Sequence, residues 1–147
     1  MPVASSMADR GSAEGRLADN IVYFARALRK AGMRVGPASV VDAIDAVREL
    51  EIVNRKVPQA NKRLSAEVVG FIQKLRQLDL FKAPGVAETL DWAGALTELD
   101  KVALDPETVS DTIGVLLKYQ DDIARIEQGE GRRLLKEVKA ELSTAAE

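Results

Sequence analysis

The sequence predicts an all-α protein, a helical bundle of five or six helices. Apolar residues recur at spacings of three and four along most of the 147-residue chain, and no alternating run is long enough for a strand. Glycine and proline stand where helices would stop and start, as at Gly32 and Pro106. Aromatic residues make up only 4% of the chain, so small aliphatic side chains would fill the core.

The N-terminal part predicts an αα-hairpin that follows a disordered tail over residues 1–15. The first amphipathic helix spans about residues 16–31, and Gly32 supplies the left-handed conformation that ends it. Pro37 stands at the first position of the second helix, which nothing interrupts before Pro58.

A third and a fourth helix are predicted after Pro58. The third begins near Asn61 or Leu64 and contains Gly70. Glycine inside a helix costs about 1 kcal/mol relative to alanine, so we expect close helix packing to offset that cost. The fourth helix spans about residues 85–99.

The C-terminal part begins with a strong helix start, Asp105-Pro106-Glu107, which combines an Asp cap, a proline at the first position and an acid in the first turn. The helix that follows is predicted to run to about Glu127, after which Gly129 and Gly131 interrupt it. A last amphipathic helix and a frayed end complete the chain over residues 129–147.

Composition excludes several kinds of chemistry. Without cysteine or histidine the chain cannot perform thiol catalysis or histidine acid–base chemistry, and no cofactor or metal site is expected. The net charge of −2 argues against binding to nucleic acid. No apolar run approaches the roughly 20 residues that span a membrane. Because the N-terminus lacks an apolar signal core, the chain is expected to be cytoplasmic.

Two stretches of the chain resemble two different families. EIVNRKVP at residues 51–58, PGVAETLDWA within residues 66–96 and LLKYQDD within residues 105–126 are similar to the C-terminal lid of MoxR-type AAA+ ATPases, in particular the CoxD-like branch. NIVYFARALRKAGMRVGP, within residues 16–47, resembles the N-terminus of CoxE-like proteins, which carry a von Willebrand factor A domain. The resemblance implies a chaperone pair that acts in metalloenzyme maturation.

These resemblances divide the chain after the tail into a CoxE-like hairpin (16–50), a MoxR-type lid-like bundle (51–128) and a C-terminal helix and tail (129–147). The catalytic motifs of both families are absent from these residues. No GxxxxGK[ST] phosphate loop, no acidic Walker-B strand and no DxSxS metal motif occurs. We therefore expect no enzyme activity from this chain alone.

The apolar face of the hairpin carries the main functional hypothesis, since a hairpin of this size cannot be stable with that face uncovered. We expect the face to pack on the lid-like bundle, within one chain or by exchange in a homodimer. The residues proposed for interaction are Phe24, Leu28, Ile44, Val47 and Trp92. For Trp92 the alternative is an ordinary core position.

Several charged clusters have both a functional and an ordinary interpretation. Asp121 and Asp122 suggest either a metal or partner site, or a solvated face with helical ion pairs to Lys118 and Arg125. The resemblance to AAA+ lids implies that Glu88 corresponds to a position at which many of them carry an arginine that reaches the γ-phosphate. Three further sets are either functional sites or solvated helix faces. The acidic set, Glu88, Asp91 and Glu98, would be a general acid/base cluster. The two basic sets would bind a partner or an anionic surface: Arg26, Arg29 and Lys30; Arg132, Arg133 and Lys136.

The resemblances imply a non-catalytic helical interaction module whose partner is a MoxR-type AAA+ ATPase or a von Willebrand factor A domain protein. One alternative is a natural remnant, or an artificial joining of two neighbouring gene products, with no activity of its own. This alternative is suggested by the position at which the two resemblances meet, near residues 47–51, inside a predicted helix. The other alternative is a free adaptor that regulates an intact AAA+ ATPase.

Overall fold

The computed structural model describes residues 19–145, apart from the side chains of residues 37–39 and 145. These residues form helices joined by turns, with no strand among them, so the all-α prediction is confirmed. The predicted tail over residues 1–15 lies outside the described residues, as does the predicted start of the first helix at residues 16–18.

The chain divides into two compact units, Met1–Val47 and Arg48–Glu147. The boundary lies within α2, which spans Pro37–Lys56. Pro37 begins this helix as predicted, and the helix ends shortly before Pro58. The division into a CoxE-like hairpin (16–50) and a lid-like bundle (51–128) stays a prediction.

In the first unit the described part of α1 spans residues 19–30, and Gly32, whose φ is +88°, closes its C-terminal end. The N–H of Gly32 donates to the carbonyl of Arg29 at 3.0 Å, and the N–H of Met33 donates to that of Leu28 at 3.0 Å. These two bonds form the Schellman motif, in which a left-handed residue closes a helix. The predicted helix stop at Gly32 is confirmed.

In the second unit α3 spans Lys62–Arg76. It begins as predicted after Asn61, whose Oδ1 accepts the N–H of Arg63 at 2.8 Å. α4 spans Val86–Glu98, which agrees with the helix predicted over residues 85–99. A loop over residues 77–85 joins these two helices.

The prediction of one long helix from Asp105 to Glu127 is wrong. Its start is correct, because the side chain of Asp105 caps α5, which spans Pro106–Thr112. A 3-10 turn over Ile113–Val115 follows, and α6 spans Gln120–Arg125. Between them the chain leaves the helical conformation.

The break before α6 is accompanied by a contact with a distant part of the unit. Tyr119 is extended, with ψ of 130°, and α6 starts directly after it. The buried carboxylate of Asp122 then accepts the N–H groups of Phe81 and Lys82 at 3.0 and 3.2 Å. Apolar spacing continues through this break, so periodicity alone does not reveal it.

A wide turn over Ile126–Glu130 leads from α6 to α7, which spans Gly131–Ala145. Gly129 has a φ of +121° in this turn, a conformation that costs glycine little and other residues much more. The predicted interruption is therefore confirmed at Gly129, whereas Gly131 is helical and begins α7. α7 is helical to Ala145, further than the frayed end predicted for the chain.

The core of the second unit is centred on α3, which packs against both α4 and α7. A Cβ atom on Gly70 would lie only 3.0 Å from Cγ1 of Val138 in α7, which confirms the close packing expected at this glycine. The largest fully buried apolar side chains of the unit are Trp92, Phe71, Leu64, Ile72, Leu75, Leu96, Leu104, Leu117, Val53, Val68 and Val138.

Candidate interaction surfaces

Exposed aromatic side chains stand on α1. Tyr23 is 75% exposed and Phe24 is 62% exposed. The less exposed positions of this helix include Ala25, which is buried, and Leu28, which is half-buried. Helical spacing places Phe24 at the edge of that stripe, so its ring is presented to solvent and is not buried as the sequence pattern suggests.

The remaining interaction candidates of the hairpin are half-buried, namely Leu28, Ile44 and Val47. In the basic set of Arg26, Arg29 and Lys30, Arg29 stabilises the turn after α1, because its Nε donates to the carbonyl of Val35 at 2.6 Å. Arg26 and Lys30 are exposed. The docking of this face on the lid-like bundle stays a prediction.

Trp92 lies in the core of the second unit and has no exposed surface. Its ring centroid is 5.5 Å from that of Phe71, and its Nε1 donates to Oγ1 of Thr112 at 2.8 Å. The indole ring is therefore packed within the unit, and its N–H group has a hydrogen-bond partner there. This is the ordinary core position considered for Trp92, and a role as an interface anchor stays a prediction.

A buried acid holds the last turns of α2 to the rest of the second unit. Both carboxylate oxygens of Glu49 accept from Arg76, at 2.6 and 2.8 Å. Thr89 and Gln73 donate to the same carboxylate at 2.7 and 2.8 Å. Burial alone raises the pKa of Glu49, but the hydrogen bonds from Arg76 and Thr89 outweigh it and hold the pKa below its usual value.

Glu88 caps its own helix. Its Oε2 accepts the N–H of Gly85 at 2.9 Å, which forms the reciprocal half of a capping box at the start of α4. Hydrogen bonds from the backbone N–H groups of Glu88 and Gly85 lower the pKa of this carboxyl. The other members of the proposed acidic set, Asp91 and Glu98, are exposed.

Asp121 and Asp122 have different environments. Asp121 is exposed in the first turn of α6, whereas Asp122 is buried under the loop before α4. Arg125 donates to the carbonyl of Asp79 at 2.8 Å. The solvated-face interpretation is therefore wrong for Asp122, because a distant loop supplies its partners.

The loop that Asp122 fixes presents a pair of aromatic rings. The ring of Phe81 lies 5.8 Å from that of Tyr119, and the two planes are inclined by 30°. Phe81 is 75% exposed and Tyr119 is 52% exposed. Neither residue stands on a helix with an apolar stripe, and helical periodicity therefore does not predict this pair.

One residue of the C-terminal basic set, Arg133, forms surface ion pairs. Arg133 contacts Glu130 at 2.9 Å and Glu137 at 3.1 Å, while Arg132 and Lys136 are exposed.

Among residues 19–145, no group of three acidic side chains is placed to hold a metal ion. No helix in the described part of the chain is long and apolar enough to cross a membrane.

Comparison with known families supports one of the two resemblances. The family model described as CoxE N-terminal helical bundle domain matches residues 21–64. The match covers the hairpin from residue 21 onwards and continues beyond residues 47–51, where the two resemblances were expected to meet. It ends at residue 64, so the lid-like resemblance of the later residues stays a prediction. No curated protein and no solved structure matches the chain.

Proposed function

We propose that this chain is a non-catalytic helical interaction module that acts with a MoxR-type AAA+ ATPase or a von Willebrand factor A domain protein during metalloenzyme maturation. The observation that carries the proposal is the match over residues 21–64 to the CoxE N-terminal helical bundle domain. That match contains Tyr23 and Phe24, two large aromatic side chains that the chain leaves exposed.

Exposed neighbouring aromatic residues favour a contact with another protein. Aromatic side chains are enriched at interfaces because they bury much apolar area at a small cost in conformational entropy. Arg26 and Lys30, on the same helix, would add polar contacts at the rim of such an interface. A helix presented in this way binds a groove without any catalytic residue.

The continuous match across residues 47–51 also bears on the alternatives. A joining of two gene products at that point would end the family resemblance there, whereas the match continues to residue 64. The meeting point inside α2 therefore gives no support to a remnant or an artificial joining. An adaptor that binds an intact ATPase agrees with the proposal.

A binding experiment tests the proposal. The immobilised chain is mixed in turn with a purified MoxR-type ATPase and a purified CoxE-like von Willebrand factor A protein. We expect one of them to bind, and the double variant Tyr23→Ser/Phe24→Ser to weaken that binding about tenfold or more.

The matched control is Leu99→Ser/Val102→Ser, which removes two exposed apolar side chains of the second unit. This variant should bind as the unchanged chain does. Absence of binding to both proteins, or equal loss in the control variant, would contradict the proposal.

A further inference from the structure

Basic residues are segregated in the first unit. Residues 20–41 contain four basic side chains and no acidic one. The basic side chains are Arg26, Arg29, Lys30 and Arg34. The nearest acids in the sequence are Asp19 on one side and Asp42 on the other. In the whole chain 23 acids stand against 21 basic residues, so this segment has a charge opposite to that of the chain.

Three of the four cations have no partner in the described part of the chain. Arg29 is occupied, because its Nε donates to the carbonyl of Val35 at 2.6 Å. Arg26, Lys30 and Arg34 are exposed, and none of them forms an ion pair among residues 19–145. Their charges are therefore available to the carboxylates of another protein.

The solvent face of α1 combines two of these cations with an aromatic ring. The less exposed side chains of the helix include a stripe at spacings of four and three: Ile21, Ala25 and Leu28. Tyr23, Arg26 and Lys30 are exposed and recur at spacings of three and four, about half a turn away from that stripe. They therefore share the opposite side of α1, and Phe24 lies at its edge.

The acids of the first unit do not neutralise this face. Asp19 is the one acid in the described part of α1, and it offsets one of the three free cations. Asp42 and Asp45 are exposed on α2, outside its less exposed stripe of Val40, Ile44 and Val47. None of the three acids forms an ion pair within residues 19–145. The excess charge beside the rings is therefore positive.

The exposed apolar groups of α1 fit a protein groove better than a membrane surface. A helix that lies on a membrane buries a wide apolar face in the lipid. The aliphatic stripe of α1 is instead turned into the unit, where Ala25 is only 5% exposed. Tyr23 and Phe24 remain outside, at 75% and 62% exposure. Two rings flanked by cations match a groove that has an apolar floor and a polar rim.

We propose that the basic–aromatic face, formed by Tyr23, Phe24, Arg26 and Lys30 of α1 and by Arg34 after it, docks into an apolar groove of the partner that carboxylates border. The rings fill the groove, and the cations pair with the acids at its rim. This inference rests on the proposed function and adds the chemistry of the partner's surface. Attraction between opposite charges acts before contact, so it increases the rate of association and weakens with salt.

Kinetic binding measurements at two salt concentrations test the inference with the full-length chain and with the purified MoxR-type ATPase and CoxE-like von Willebrand factor A protein. Arg26→Gln/Lys30→Gln/Arg34→Gln should weaken binding about tenfold or more at about 50 mM salt, chiefly through slower association. At about 500 mM salt its affinity should differ from that of the unchanged chain by about twofold or less, because ions screen the attraction.

The matched control removes three exposed lysines of the second unit, Lys82→Gln/Lys118→Gln/Lys136→Gln. It has the same net charge as the first variant and should bind as the unchanged chain does at each salt concentration. Tyr23→Ser/Phe24→Ser should weaken binding at both salt concentrations, because the rings contribute through apolar burial. All the exchanged side chains are exposed, so thermal unfolding should be unaffected in the three variants.

The outcomes separate this inference from the proposed function. A partner that binds the Arg26→Gln/Lys30→Gln/Arg34→Gln variant as tightly as the unchanged chain at low salt overturns the inference and leaves the proposed function standing. Equal loss in the lysine control does the same. If neither protein binds at either salt concentration, both are overturned.

Two other occupants of the face are tested with the chain alone. Binding to vesicles that contain anionic lipid, in preference to both proteins, would assign the face to a membrane. Self-association that Tyr23→Ser/Phe24→Ser abolishes would assign it to a second copy of the chain. Either result overturns the inference.

Discussion

Buried carboxylates join distant segments of the second unit. Glu67 accepts the N–H of Leu104 at 2.7 Å and contacts Arg63 and Lys139, each at 3.1 Å. Glu49 joins the last turns of α2 to α3 and α4 through Arg76 and Thr89 in the same manner. A buried charge is tolerated only when its hydrogen bonds are complete, so these contacts specify how the helices pack.

The Glu49 network predicts a pH-dependent stability. Glu49→Gln keeps the shape of the side chain, removes the charge that faces Arg76, and should lower the free energy of unfolding by about 2 kcal/mol at neutral pH. The pKa of Glu49 lies below its usual 4.5 in the folded protein. Its stabilisation is therefore complete above the unfolded pKa and is lost as the pH falls through the folded pKa.

Urea denaturation of both proteins between neutral and acidic pH measures this effect. The difference in unfolding free energy should be constant above about pH 5 and should shrink at lower pH. Glu127→Gln is the control, because Glu127 is exposed and forms no ion pair in the described part of the chain. A difference that persists unchanged in acid would show that the charge of Glu49 contributes nothing.

The sequence contains a partial signal for such residues. Glu67 stands on the same face of α3 as Leu64, Val68 and Phe71, and a charge within an apolar stripe needs a buried partner. The partner cannot be read from the same pattern, because Lys139 is 72 residues away. Positions on a face follow from helical periodicity, whereas pairings between helices depend on the tertiary structure.

At the scale of helices, the contact between α3 and α7 depends on a missing side chain. Gly70 has no Cβ. A Cβ atom at this position would lie only 3.0 Å from Cγ1 of Val138 in α7. Val138 is buried and β-branched, so it has few alternative rotamers. Gly94 in α4 is a natural comparison, since nothing lies within 4 Å of the Cβ it would carry.

Alanine substitutions at these two glycines should therefore have opposite effects. Gly94→Ala should stabilise the protein by about 0.5–1 kcal/mol, because it removes the cost of glycine within a helix. Gly70→Ala gains the same propensity but forces Val138 to move, so we expect a net destabilisation of about 1–3 kcal/mol.

Thermal unfolding of the single and double variants measures both effects. Adding Val138→Ala to Gly70→Ala should cost less than Val138→Ala costs in the unchanged chain, because the new methyl group fills part of the cavity. If Gly70→Ala stabilises the protein as much as Gly94→Ala, the close packing of α3 on α7 does not constrain this position.

Helix starts and stops were predictable where the local sequence decides them. Gly32, Asn61 and Asp105 each stand at the end or the start of a helix as predicted, because capping depends on residues within one turn. The break before α6 was not predictable, since apolar spacing continues through it and the contact of Asp122 beside it is with a loop about 40 residues earlier in the chain.

At the scale of the whole molecule, the boundary between the two units divides a helix. The first part of α2 belongs to the unit that ends at Val47, and its remainder, from Arg48, belongs to the second unit. That remainder contributes Glu49 and Val53, both buried. The family match likewise passes through α2 and ends at residue 64, so neither the helix nor the resemblance stops at the boundary.

Two truncated chains test where the second unit begins. Residues 48–147 should unfold in one cooperative transition, because they retain both Glu49 and Val53. Residues 50–147 lack Glu49 and leave the charge of Arg76 without its carboxylate partner, so their free energy of unfolding should be lower by about 2–4 kcal/mol. Urea denaturation followed by circular dichroism gives both values, and equal stability of the two chains would show that Glu49 does not belong to the cooperative unit. The full-length chain, compared with residues 48–147, tests the predicted docking of the hairpin, since docking requires the full-length chain to be the more stable of the two.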